Sequence, residues 1–268
     1  MPQPGGESLR TAPGAIVLGA SYRALGVVRS LGRRGIPVWV VTRHYDRLAS
    51  LSNYAHRTLV WRSQDHRARV DFLKRAASEY GLDGWVLFPT DDDTAVLLSR
   101  HSEELRQTFR FTSLPWESFQ WLYDKRLTYA LARRLNISCP WTSLPKSRAE
   151  LRDLDCSFPV ILKPAFKKTE NGFTTAKAWR VNDRHSFWAR YDEACSLVPP
   201  DTIMVQEFVP GDGESQLSYV AVMEDGETLG CLVARRGRQM PMDFGRFSTY
   251  VETVADPGIS ESARRLLS

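Results

Sequence analysis

Lysine is scarce in this sequence of 268 residues: seven lysines stand against 29 arginines. Cysteine and histidine are scarce as well. The four cysteines (139, 156, 195 and 231) lie far apart with no CxxC pair, which excludes a zinc-type spacing and a disulfide framework and fits thiols kept reduced in the cytosol. The five histidines (44, 56, 66, 101 and 185) form no HxH or HxxxH pair. No apolar run approaches the ~18–20 residues of a membrane span, and the N-terminus lacks the apolar core of a signal peptide, so the expectation is a cytoplasmic protein with no membrane partner. No run of basic residues is interleaved with aromatics, which argues against nucleic acid. The net charge of +5 comes from scattered arginines and suits small anionic ligands such as ATP and carboxylates.

A hydrophobic content of 43% and a charged content of 25% are those of an ordinary globular protein, and the length accommodates two domains. Residues 1–12, rich in proline, glycine and polar residues, read as a disordered lead-in. From 13 to about 115, short β-rich runs (15–18, 37–42, 58–61 and 84–89) alternate with helical spacing, including a helix over 67–80 and another from the Asp91–Asp93 run to about 105. That alternation predicts a parallel, doubly wound sheet. After Pro115 the pattern changes. Residues 116–136 read as one helix, and from 158 onward strands joined by turns dominate, with one helix over about 184–197. Strands are expected at 203–208, 216–223 and 228–234, the last two joined by a hairpin turn at 224–227. The final Glu-Ser-Ala-Arg-Arg-Leu-Leu-Ser (261–268) is the amphipathic start of a helix and reads as the end of a fragment.

Several features invite chemistry. Gly19-Ala20-Ser21 ahead of a helix could hold an anion on main-chain N–H groups. It is not a GxGxxG fingerprint, and Thr42-Arg43 rather than a carboxylate closes the second strand. A tight structural turn, a seat for a substrate carboxylate and an NAD(P) site all remain open there. Asp91, Asp92 and Asp93 could ligate metal, but consecutive helical residues point about 100° apart, and capping is the simpler role for at least one of them. Lys125, in Tyr-Asp-Lys-Arg (123–126), opens a helix behind Asp124, a good N-cap; alone it also fits a solvated surface lysine. Lys163 ends the apolar run of Phe-Pro-Val-Ile-Leu-Lys-Pro (158–164), where partial desolvation calls for an anionic partner. Lys177 follows Asn171-Gly172 and Thr174-Thr175, a possible flap over phosphates followed by a strand. Met-Val-Gln-Glu-Phe-Val-Pro-Gly (204–211) is a strand that stops at Pro-Gly, leaving main-chain groups beside Phe208 and Val209. Such an end can read a purine edge, or it can be an ordinary β-turn. A lysine retained in so arginine-rich a chain indicates that a compact point charge is wanted, as at a phosphate.

The two lysine segments and the hinge, in this order and spacing, resemble the ATP-grasp superfamily, in particular its biotin-carboxylase-like carboxylate–amine ligases. The resemblance covers the chain from Ala15 onward. It implies a pre-ATP-grasp α/β domain with a Rossmann-like parallel sheet (13–115), then an α+β ATP-grasp domain (116–268) holding the nucleotide-binding part. By the resemblance, Lys125, Lys163 and Lys177 would contact ATP phosphates beneath a loop over about 165–176. Gln206, Glu207, Phe208 and Val209 would hold adenine, with Glu207 or Glu214 near the ribose. Arg235, Arg236 and Arg238, with Gln239, would form the basic segment near the transferred phosphate, though neighbours on a strand alternate and only one or two can reach it. The superfamily's Glu-x-Asn-x-Arg stretch for Mg²⁺ does not occur before Ser268, so metal ligands are expected beyond that residue. The implied activity is ADP-forming ligation of a small carboxylate to an amine or other nucleophile through an acyl phosphate, with a homodimer as the candidate assembly. A non-catalytic nucleotide-binding or regulatory homologue and an NAD(P)-binding oxidoreductase are the alternatives.

Overall fold

The computed structural model describes residues 13–43, 46–152, 154–166, 171–211, 215–240, 244–245 and 247–268. The lead-in 1–12, Glu214 and the middle of the 165–176 loop lie outside the described residues. The chain divides into two compact units, Met1–Gln120 and Trp121–Ser268.

The first unit begins with β1 (Ala15–Leu18), α1 (Tyr22–Gly32), β2 (Val38–Thr42) and β3 (Arg57–Val60). It continues through α2 (His66–Tyr80), β4 (Val86–Pro89), α3 (Asp92–Arg100) and α4 (Ser102–Leu105). The four strands pair in parallel in the order β3-β2-β1-β4. Such a sheet is covered on both faces at its centre, which is why β1 and its neighbours β2 and β4 are largely apolar, while the edge strand β3 is mostly exposed. Ile16 and Leu18 pack with α2 and α3 residues such as Val70, Leu73 and Leu97. Val17 packs with Ala24 and Val28 of α1 on the other side. This is the α/β sheet expected from the alternating pattern. The Asp91–Asp93 helix ends at Arg100, and a separate turn of helix follows it. Asp91 is the N-cap of α3, in a capping box with Thr94.

The crevice between β1 and β4, where strand order reverses and ligands commonly enter such sheets, is bridged. The Thr90 hydroxyl donates to the Leu18 carbonyl at 2.7 Å, and a Cβ on Gly19 (φ +108°) would stand 2.4 Å from that hydroxyl. At the end of β2 the Thr42 hydroxyl donates to the Arg43 carbonyl at 3.1 Å, with no carboxylate in that position. Neither feature favours a dinucleotide.

A charged network ties the starts of α2 and α3 together. Arg69 has a fully buried side chain, which donates to Asp93 at 2.5 Å, to the Ser63 carbonyl and to Gln64. Its guanidinium lies 4.9 Å from the Trp61 ring centroid. Arg43 and His66 also reach Asp93, at 2.9 and 3.3 Å. The hydrogen bond from His66, and then Arg69, hold the Asp93 carboxyl well below the usual carboxylate range, against the opposite pull of partial burial. A carboxyl depressed in the folded state contributes stability above its unfolded value, about 3.9, and that contribution fades as pH falls through the folded value. Asp93→Asn is therefore expected to lower stability at pH 7 by about 1–3 kcal/mol, because it leaves a buried guanidinium without its charge partner. It should also flatten the loss of stability below about pH 4. Urea unfolding of both proteins at pH 7 and pH 3 reads this directly; equal midpoints at both pH values would contradict it.

α5 (Trp116–Tyr123) leads into the second unit. The single helix expected over 116–136 is in fact two, because Asp124 leaves helical geometry (φ −93°, ψ 109°) and caps α6 (Lys125–Arg134). Next come β5 (Thr142–Ser143), β6 (Val160–Pro164), α7 (Gly172–Ala176), β7 (Trp179–Val181), α8 (Arg184–Leu197) and β8 (Ile203–Glu207). The strands form an antiparallel sheet in the order β5-β8-β6-β7. Val160, Leu162, Ile203 and Val205 bury one face of it with Phe187 and Tyr191 of α8. A second antiparallel sheet, ordered β11-β10-β9, is built from β9 (Leu217–Glu224), β10 (Glu227–Met240) and β11 (Phe247–Val254). The expected hairpin turn is present, with positive φ at both Asp225 and Gly226, the geometry of a two-residue turn matched to strand twist. α9 (Pro257–Leu267), capped by Asp256, packs against β9 and β10. This sheet also departs from expectation, because β10 runs on through the arginine cluster and β11 pairs with that extension.

Candidate functional site

The two lysines converge because helix and strand are tied to each other. The Asp124 carboxylate accepts from the Arg126 main-chain N–H at 2.9 Å, fixing the first turn of α6. Lys125 then donates from both its main-chain N–H, at 3.2 Å, and its ammonium, at 3.1 Å, to the carbonyl of Ala165. That carbonyl lies two residues beyond Lys163 along the chain from β6. In return, the Lys163 ammonium donates to the Tyr129 hydroxyl at 2.9 Å and sits 5.0 Å from the centroid of that ring. Tyr129 is one turn after Lys125 on α6, so both ends of the tie come from a single helix face.

Strand alternation sets which side chains share Lys163's face. Val160, Leu162 and Pro164 are buried, while Ile161 and Lys163 point the other way and are half-buried. Across the β6–β8 ladder, Lys163 pairs with Met204, Ile161 with Gln206 and Val160 with Glu207; across β7, Ile161 pairs with Arg180. Directly paired residues share a face. Met204, Gln206 and Arg180 therefore line the lysine side of the sheet. Glu207 lies three residues along the ladder from Lys163, a separation of about 10 Å.

The hinge residues are firmly held. Buried Gln206 donates from its amide to the Thr142 hydroxyl at 2.7 Å. Glu207 accepts the Trp141 main-chain N–H on its carboxylate at 2.9 Å, which stiffens the hinge. The Phe208 main-chain N–H reaches the Pro159 carbonyl at 3.3 Å, and the Arg180 guanidinium stacks 4.3 Å from the Phe208 ring centroid. Val209 is exposed.

A second group of polar side chains forms around the Gly245 carbonyl. The Lys177 ammonium donates to it at 2.7 Å and Arg236 approaches it at 3.5 Å. Arg236 also donates to Gln239 and to Gln216, each at 3.2 Å. A Cβ on Gly245 would stand 2.3 Å from Gln239 Cβ, so the approach is close. Arg235 and Arg238 are not part of this group. The register of β10 shifts around Gly237, placing Arg235 opposite Glu252 and Arg238 opposite Tyr250 on the reverse face, with Arg235 and Glu252 3.7 Å apart. Of the four basic-segment candidates, Arg236 and Gln239 thus face Lys177 and the other two face away.

Lys177 itself has an unusual backbone, φ +65° and ψ −42°. The expected flap is a single helical turn here, closed by a capping box in which Asn171 accepts the Thr174 N–H at 2.9 Å and the Thr174 hydroxyl accepts the Asn171 N–H at 3.0 Å. Positive φ at a non-glycine residue costs of order 1–3 kcal/mol and persists only where its surroundings enforce it. Here the capped turn on one side and the Gly245 carbonyl on the other do so.

Tyr129, Arg180 and Thr142 were not singled out from sequence. Only Tyr129 left a usable signal, its four-residue spacing from Lys125; the others depend on strand register. Among the described residues no group of three or more His, Cys, Asp and Glu side chains could hold a metal ion. The donors present suit an anion, and no magnesium ligand is assigned to them. No helix among the described residues is long and apolar enough to cross a membrane.

A parallel α/β unit followed by two antiparallel sheets is the architecture of the N-terminal part of ATP-grasp structures, and this chain has that fold. It superposes on the L-amino acid ligase from Bacillus licheniformis with a TM-score of 0.68 at 15% identity, over 96% of this chain and 61% of the other. The carboxyaminoimidazole ribonucleotide synthase from Aspergillus clavatus, solved with ATP, gives a TM-score of 0.62 at 16% identity, over 95% and 63% of the two chains. The biotin carboxylase domain of the Hydrogenobacter thermophilus 2-oxoglutarate carboxylase, solved with MgADP, gives 0.62 at 13% identity, over 96% and 59%. The chain thus spans about three fifths of the length of the structures it matches. No protein-family model and no curated protein matches the sequence.

Asn171→Ala removes the cap that holds the turn before Lys177, and is expected to cost about 1 kcal/mol. Hydrogen exchange should then speed up at 172–177 while 203–207 stays protected; unchanged exchange at 172–177 would show that the capping box does not hold Lys177.

Proposed function

We propose that the second unit binds ATP, and that the chain is the nucleotide-binding part of an ADP-forming ligase joining a small carboxylate to an amine or similar nucleophile. The observation that carries this reading is the cross-tied pair Lys125–Ala165 and Lys163–Tyr129, which sets two ammonium groups where α6 meets the end of β6. The hinge lies about 10 Å along the same sheet, a span that suits the distance from a purine to its phosphates. The likeness in fold to structures solved with ATP and with MgADP supports the same reading.

In this reading the end of β8, at Phe208 and Val209 beyond its paired residues, meets the purine edge, and Lys125 and Lys163 bind phosphate oxygens. Glu207 is engaged with Trp141, and its part would be to fix the hinge. Lys177 and Arg236, now sharing the Gly245 carbonyl, are the cations that would meet the transferred phosphate. A substrate carboxylate oxygen would attack the γ-phosphorus, giving an acyl phosphate and ADP, and an amine would then displace phosphate. Fixed positive charge around the moving phosphoryl group is the largest contribution such a site can make.

Thermal unfolding of the chain with and without ATP tests the assignment. Lys163→Ala should abolish the shift that ATP produces, since a half-buried ammonium donating to phosphate contributes about 1.5–3 kcal/mol. Arg236→Ala should weaken ATP binding about tenfold, while Arg235→Ala and Arg238→Ala should leave it within twofold. An unaltered ATP shift in Lys163→Ala would overturn the site, and equal effects of all three arginines would overturn the division of the cluster by strand face.

A further inference from the structure

We infer that Tyr129 is a positioning residue for phosphate recognition, holding the Lys163 ammonium in place with an uncharged acceptor; this rests on the nucleotide reading above. A lysine ammonium on a four-carbon stem is mobile, and binding a phosphate with it costs the entropy of fixing that stem. A partner that holds it in advance lowers this cost. The choice of partner matters. A carboxylate would hold Lys163 well, but it would cancel the charge and compete with the phosphate for the same protons. The Tyr129 hydroxyl accepts one ammonium proton at 2.9 Å and leaves the net charge whole. The ammonium has three protons, so two donors stay available to a ligand. The ring adds an electrostatic hold, with its centroid 5.0 Å from the ammonium nitrogen.

The placement of Tyr129 on α6 makes the hold specific. The same helix begins with Lys125, whose ammonium and main-chain N–H both reach the Ala165 carbonyl. Lys125 thus grips the chain beyond β6, and Tyr129 grips the lysine of β6 one helical turn later. A displacement of α6 along its axis would disturb both contacts together. Tyr129 therefore fixes the separation of the two phosphate-binding ammonium groups as well as the direction of one of them. Tyr129 and Lys163 are both half-buried, so each keeps part of its surface accessible to a ligand.

The test is a double-mutant cycle on the chain with Tyr129→Phe and Lys163→Met, measuring dissociation constants for ATP and adenosine by calorimetry. Phenylalanine keeps the ring and removes the acceptor. Tyr129→Phe is expected to weaken ATP about 3- to 10-fold and to leave adenosine unchanged, since only the phosphates meet Lys163. In the Lys163→Met background the same substitution should have no effect on ATP. A purely structural role for Tyr129 would weaken ATP and adenosine together, or would persist without Lys163, and either result overturns the inference. If the parent binds ATP and Tyr129→Phe binds it equally well, the inference fails while the nucleotide reading stands. If the parent binds neither ATP nor ADP, the nucleotide reading fails and takes this one with it.

Discussion

A cation that is to recognise phosphate has to be held in place without being neutralised, and the nucleotide site proposed for the second unit meets that constraint at Lys163. The Lys163 ammonium donates to the Tyr129 hydroxyl, an oxygen that carries no formal charge, and Lys125 and Lys177 each donate to a main-chain carbonyl, that of Ala165 and that of Gly245. Neutral acceptors orient an ammonium at the cost of a modest net hydrogen-bond energy and leave its field available. The first unit handles its buried charge in the opposite way. Arg69 is fully buried and is matched by Asp93, with every nitrogen of its guanidinium donating to an acceptor. That pairing serves folding, because an uncompensated buried guanidinium would be costly. The contrast is between a buried charge matched for folding, at Arg69, and a half-buried one at Lys163 that the proposed site leaves to a ligand.

The central strand β6 translates this constraint into geometry. Flanked by β7 and β8, it sends Val160, Leu162 and Pro164 into the core and Ile161 and Lys163 to the open side. The register with β8 then fixes the distance from lysine to hinge, since a slip by one residue would turn Lys163 into the core. The hinge depends on neighbours in turn: Gln206 on Thr142, Glu207 on Trp141, Phe208 on Arg180. None of these partners is adjacent in sequence to the residue it fixes. Tertiary register therefore carries as much of the site as the motif residues do.

That dependence explains what could and could not be read from the amino-acid sequence. The parallel sheet was legible because strands buried on both faces have to be apolar throughout, as 15–18 and 38–42 are. The Asp124 cap, the I′ hairpin at Asp225-Gly226 and the strand positions of Lys163 and the hinge were legible because each depends on local backbone chemistry. The break between α5 and α6 was only half legible: Asp124 read as a cap, yet apolar spacing continues across it and 116–136 read as one helix. β10 was ended at 234 because the apolar residues stop there, yet a strand paired on both sides carries arginines where its faces are exposed. Once β10 was cut short, its partner β11 had nothing to pair with and went unrecognised.

The arginine cluster shows most clearly why spacing alone underdetermines a site. Strict alternation from 235 to 239 would put Arg235, Gly237 and Gln239 on one face and Arg236 and Arg238 on the other. The register shift around Gly237 breaks that parity, so Arg236 and Gln239 end up together and Arg238 joins Arg235. The glycine is required for a separate reason: a Cβ at 237 would stand 2.6 Å from the Tyr250 ring. Bulges of this kind re-aim side chains next to functional sites, and an unbulged reading of the same residues assigns the wrong pair. At 13–16% identity the structures it matches share few residues with this chain. The sheets and their pairing can persist at that distance, because a backbone ladder is indifferent to most side chains. The particular side chains that a bulge turns inward are not so constrained, and for this chain they have to be read from its own register.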